Sequence, residues 1–160
     1  MMDRPVVQVA VVMECEAHPN RWEDWRHRVA EVVQHESVFG SEPRLLREDG
    51  KVAFWLYPGF ELQLYADEAE GYYLNLTSGT PVWFVMWRVD DDDPSRARPE
   101  TVSLSYNEAG RWLDAQEHVD NVPLDPELCA WLQAFADEHY KPEPKQRKRP
   151  ASFVSPGRRG

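Results

Sequence analysis

The segment Lys51–Val89 decides most of what this chain can fold into. It carries Trp55, Trp83 and Trp87 in short apolar runs, set off by Asp49-Gly50, Pro58-Gly59 and Thr77-Ser78-Gly79. Such runs of aromatic and β-branched residues between turn signals read as strands. Asp49-Gly50, flanked by Arg44–Glu48 and Lys51–Tyr57, predicts a type I′ hairpin with positive φ at both central residues. Pro58-Gly59 fits a type II turn, because Pro sets φ at its second position and Gly supplies positive φ at its third. Beyond it Phe60, Leu62 and Leu64 alternate with Glu61, Gln63 and Tyr65. An acidic loop, Asp67–Gly71, leads to a predicted strand at Tyr72–Leu76. Another follows at Val82–Val89, with Val82, Phe84 and Met86 on one face and Trp83, Val85 and Trp87 on the other.

The flanking regions complete the pattern. Val6–Glu14 is apolar on both faces, as in a central strand. Asn20 with Glu23 has the form of a capping box. Trp22, Trp25, Val29, Val32 and Val33 fall at helical spacing, while Trp25, Val29 and Val33 also fit a period of two. Arg21–His35 therefore reads either as a helix or, favoured by its Val content, as a short helical turn at Arg21–Asp24 before a strand to about His35. Asp90–Pro99 is polar and loop-like, and Thr101–Ser105 makes one more short strand. Ser105 with Glu108 then caps a helix carrying Ala109, Trp112 and Leu113, with Trp112 turned to the sheet. Asp125 as N-cap and Pro126 at the first helical position open a second helix, striped by Leu128, Trp131, Leu132, Phe135 and His139. The expected fold class is α+β: an antiparallel curled sheet or small barrel of six to eight strands, followed by two C-terminal helices. Residues 1–140 form the expected single domain, and 141–160 a basic disordered tail.

The formal charge of −10 is unevenly spread. From Lys141 to Gly160 seven Lys/Arg face Glu143 alone, giving +6, while residues 1–140 carry 11 basic and 27 acidic groups, giving −16. So acidic a body repels nucleic-acid phosphates and anionic membranes, which weighs against nucleic acid as a partner and leaves any such contact to the tail. The apolar run Val6–Met13 is too short to span a bilayer and is followed by Glu14 rather than a cleavage site. No membrane insertion and a cytoplasmic location are expected, with Cys15 and Cys129 as reduced thiols.

Reaction motifs are sparse. His18, His27, His35, His118 and His139 lack metal-ligand spacing, and Asp90–Asp93 before Pro94 lacks the alternation and central Gly of a calcium loop. No Gly-x-Ser-x-Gly elbow or phosphate-cradling Gly loop is present. The residues therefore point to no catalytic group, cofactor or metal. The aromatic surplus supplies one candidate surface: Trp55, Tyr57, Trp83 and Trp87 either line the core under a helix or anchor a protein partner. The tail residues Lys145, Arg147, Lys148 and Arg149 form a second candidate partner-binding element. A dispersed ligand site made of Tyr72, Asn75, Tyr106 and Glu108 is the enzyme-like alternative.

Several stretches together carry a resemblance: Val9–Glu14 (VAVVME), Trp55–Gly59 (WLYPG), Asp67–Ser78 (DEAEGYYLNLTS), Phe84–Arg88 (FVMWR), Val102–Trp112 (VSLSYNEAGRW) and His139–Pro144 (HYKPEP). The combination resembles a proteobacterial domain family with no assigned activity. Genes of that family commonly neighbour those for molybdenum-dependent formate dehydrogenase and its chaperone. The resemblance implies an accessory role in assembly, maturation or regulation of that enzyme. Its implied partner is a molybdoenzyme subunit or maturation factor.

Overall fold

A computed structural model describes residues 5–142 of the chain. Seven strands and three α-helices make an α+β fold built on two antiparallel sheets, in place of one curled sheet or closed barrel. The first sheet holds β1 (Val6–Ala17), β2 (Trp25–Gln34), β3 (Arg44–Asp49) and β4 (Val52–Gln63), in the order β2-β1-β4-β3. The second holds β5 (Val82–Val89), β6 (Ala97–Ser103) and β7 (His118–Pro123), in the order β6-β5-β7. The helices are α1 (Ala69–Leu76), α2 (Tyr106–Asp114) and α3 (Pro126–His139).

The two strands that read as apolar on both faces, β1 and β5, are the central strands of their sheets. On β1 the pleat divides them: Val9, Val11 and Met13 join one cluster, Ala10 and Val12 another. The first cluster lies between the sheets and takes in Tyr57 from β4, Trp83, Val85 and Trp87 from β5, and Leu128, Leu132 and Ala136 from α3. Phe84 and Met86 point the other way, to the side where α2 packs on β5 and β7, and Phe84 meets Tyr106 edge-on at 6.3 Å.

Pro58-Gly59 is not a turn. β4 runs unbroken through it, and its pairing with β1 skips from Val9↔Phe60 to Val11↔Tyr57, so Pro58 and Gly59 together face Ala10. That is a bulge, and Gly59 supplies its positive φ of 94°. A matching irregularity on β2 places Ala30 between the pairs Val12↔Glu31 and Met13↔Val29. Beside it the Val29 amide donates to Asp120 Oδ2 of β7 at 2.8 Å, a tie between the two sheets.

The hairpin after β3 also differs in detail. Asp49 pairs with Val52, so its central residues are Gly50 and Lys51, and only Gly50 has positive φ, 60°. Glycine with positive φ at the first central position is the type II′ pattern, not type I′. A Cβ at Gly50 would touch nothing within 4 Å, so Gly50→Val is charged only the backbone cost of a left-handed residue, about 1–2 kcal/mol. A lowered thermal midpoint is the expected result, and an unchanged one would contradict this turn.

Two further corrections concern helices. Tyr72–Leu76 is helical rather than extended, because Ala69, Tyr72 and Asn75, three apart, are buried together where α1 meets α2 and α3. Asn20 makes an Asx turn and no helix: its Oδ1 accepts the amides of Trp22 and Glu23, and β2 starts at Trp25. β7, read as neither strand nor helix in the sequence, lies between α2 and α3 in the chain. Both cap expectations hold, with Ser105 Oγ accepting the Glu108 amide at 3.1 Å and Asp125 Oδ1 the Leu128 amide at 2.9 Å. Trp112 is half-buried.

Candidate functional site

The inner face of the first sheet carries a cleft of about 360 Å³ at the end where β1 and β2 meet. Register explains it. Cys15 stands opposite both Ala53 and His27, and Ala17 opposite Trp25. Small side chains at Cys15, Ala17 and Ala53 leave a floor, where the adjacent row of Met13, Val29 and Trp55 joins the core. Trp25 and Trp55 stand at its sides, and Leu45, Glu48, Gly50 and Lys51 complete the lining on the hairpin side.

The opposing wall is the β5–β6 connection, which supplies Asp93, Ser95 and Arg96. Its aspartates bind the loop itself. Asp90 Oδ1 accepts the amides of Asp92 and Asp93, Asp90 Oδ2 takes Arg98, and Asp93 Oδ1 takes the Ser95 amide and hydroxyl. The Ser95 hydroxyl and amide hold the Asp93 carboxyl below its usual range.

Arg96 is the most distinctive group. Its guanidinium carbon lies 3.8 Å from the centre of the Trp55 ring, and Nη2 donates to the Tyr57 hydroxyl at 3.3 Å. Its Nε is buried and has no hydrogen-bond partner among the described residues. Nor does Arg96 form an ion pair there with any carboxylate, unlike Arg88 and Arg111, which hold Glu117 and Glu68.

The neighbouring titratable groups sit in quiet forms. Burial pushes the Cys15 thiol up, against a smaller opposing pull from the Ala97 amide and Arg96, so the thiol stays protonated at neutral pH. Burial also lowers His27, whose Nε2 lies 3.1 Å from the Pro94 carbonyl oxygen. A carbonyl only accepts, so Nε2 carries the proton, and the buried Nδ1 is left without a donor. Among the described residues no group of three His, Cys, Asp or Glu is placed to hold a metal ion.

The residues singled out in the sequence are distributed differently. Tyr57, Trp83 and Trp87 are buried core residues, 7%, 2% and 7% exposed, and Trp55 lines the cleft. Lys145, Arg147, Lys148 and Arg149 lie outside the described residues. The proposed ligand quartet is divided. Asn75 and Tyr106 border a shallow cleft of about 350 Å³ beside α2, whereas Tyr72 and Glu108 line one of about 190 Å³. Asn75 is spent on backbone: Nδ2 donates to the Val82 and Leu104 carbonyls, and Oδ1 accepts the Val82 amide. Tyr72 accepts the Tyr65 amide at 2.9 Å, and burial raises its hydroxyl to about 12. Glu108 accepts from Ser103 Oγ at 2.6 Å. Sequence reasoning missed Cys15, Trp25, Lys51 and Arg96. For Cys15, Trp25 and Lys51 the only signal was their period-two phase with core residues of β1, β2 and β4, and Arg96, in the β5–β6 connection, had none.

Fold and cleft together define a two-sheet α+β domain with an open, aromatic-walled cleft, and among its described residues no helix is long and apolar enough to cross a membrane. The chain belongs to the family described as Protein of unknown function (DUF3305), which it matches over residues 8–149. No curated protein and no solved structure matches it.

Proposed function

We propose that this protein is a non-catalytic accessory protein, which binds another protein to assist the assembly, maturation or regulation of a molybdenum-dependent formate dehydrogenase. The observation that carries the binding role is the outer face of the first sheet. There Ala10, Val12 and Leu56 form a second apolar cluster with Ala30, Val33, Phe39 and Phe54, to which no α-helix of the described residues contributes. Leu46 and Val38 beside it are 46% and 68% exposed. Apolar surface of this kind, edged by Arg47 over the Phe54 ring and by Glu31, suits a protein partner. The identity of the enzyme served rests on the resemblance alone.

The test is recovery of partners from native cells with the tagged full chain and with Leu46→Glu. The full chain should bring down a molybdoenzyme subunit or maturation factor. The variant should recover it about fivefold less well, as expected for loss of at least about 1 kcal/mol at an interface residue. Fully active formate dehydrogenase in a strain lacking the protein, with no such subunit recovered, would end this reading.

A further inference from the structure

We propose that the cleft on the inner face of the first sheet binds a small organic carboxylate with a flat body, the carboxylate on Arg96 and the body against Trp25 and Trp55. This goes beyond the accessory role and uses the opposite face of the sheet, so either reading can fail without the other.

Three observations converge. The floor of Cys15, Ala17 and Ala53 leaves a space of about 360 Å³, enough for a small ring-bearing molecule. Both indoles line that space, and flat molecules gain from contact with aromatic faces. Arg96 is held ready by Trp55 and Tyr57, yet its Nε is buried and unpartnered and no carboxylate of the described residues pairs with it. A buried donor without an acceptor is costly, and a guanidinium with free donors matches a carboxylate in a two-bond fork. The Arg96 guanidinium hydrogens not spent on Tyr57 are the ones a ligand's carboxylate would take.

Charge narrows the class. Lys51 adds a second cation, its Nζ donating to the His18 carbonyl at 3.3 Å, while Glu48 and Asp93 add two anions to the lining. The lining is therefore neutral overall, with no surplus of positive charge to offset the larger cost of desolvating a doubly charged phosphate. A singly charged head on Arg96 gives up less hydration.

The experiment is a ¹⁵N–¹H NMR titration of the full-length protein, following the Trp25 and Trp55 indole signals and Arg96 Nε–H. Benzoate, benzamide and phenyl phosphate are the probes. Benzoate should shift these signals saturably, and benzamide, with the same shape but no charge, should bind about tenfold or more weakly. Phenyl phosphate should also bind less tightly than benzoate. Arg96→Gln should weaken benzoate by a similar factor. Ala53→Leu, which fills the floor and keeps Arg96, should abolish binding, and decides the matter if the Arg96 variant does not fold. Equal affinity for benzoate and benzamide, tighter binding of phenyl phosphate, no saturable shift, or benzoate binding unchanged in Ala53→Leu would each overturn the proposal.

Discussion

Gly71→Ala is expected to destabilise the protein by about 2–4 kcal/mol, the sum of overpacking and a damaged helix cap. Gly71 lies on α1 where that helix crosses the start of α2. A Cβ there would fall deep inside contact with Ser105 Oγ, 3.0 Å from Ser105 Cβ and 3.2 Å from the Asn107 amide nitrogen. Ser105 has no freedom to retreat. It is fully buried, its hydroxyl caps α2 through the Glu108 amide and donates to Glu68 Oε1 at 2.6 Å, and its own amide donates to Ser103 Oγ. Glu68 in turn holds Arg111 of α2 at 2.7 Å, so one displaced hydroxyl disturbs a chain of polar contacts. Denaturant unfolding of the two proteins measures the difference. A loss below about 0.5 kcal/mol, the range of ordinary surface substitutions, would show that the helices slide apart at little cost.

Asn75→Ala should cost about 3–5 kcal/mol, because it strands three backbone groups at once. The side chain is 1% exposed and serves the Val82 carbonyl at 2.8 Å, the Leu104 carbonyl at 3.0 Å and the Val82 amide at 3.0 Å. Each buried group left unpaired costs about 1–3 kcal/mol, although water entering the new space offsets part of it. Asn75→Asp separates the contributions. It keeps the acceptor for the Val82 amide but sets a carboxylate oxygen against two carbonyls, so it should be no more stable than the alanine variant. Equal stability of wild type and Asn75→Ala in urea would refute the bridging role.

The central strands were legible because a strand buried on both faces must be apolar at every position, as Val9–Met13 and Trp83–Trp87 are. The caps of α2 and α3 were legible because they are local: Ser105 and Asp125 act three residues along their own chain. What failed depended on distant partners. Pro58-Gly59 serves a turn or a bulge equally well, and only pairing with Ala10, about fifty residues away, decides which. Tyr72–Leu76 has aromatic composition that suits a strand, yet the burial of Ala69, Tyr72 and Asn75 against α3 and the start of α2 favours a helix. The cleft was the least legible feature. Its floor is built from Cys15, Ala17 and Ala53, residues with no signature, and Arg96 becomes notable only once Trp55 lies beneath it.

The order of the strands along the chain carries a consequence in time. Every strand of the first sheet lies within residues 6–63, and every strand of the second within 82–123. A ribosome therefore finishes the first sheet about sixty residues before the last strand of the second. At roughly 5–20 residues per second, Val9, Val11, Met13 and Tyr57 wait about 3–12 seconds for the surface that will cover them. For that interval the nascent chain presents apolar faces on both sides of one sheet, and among the described residues the second sheet and α3 cover only one of them.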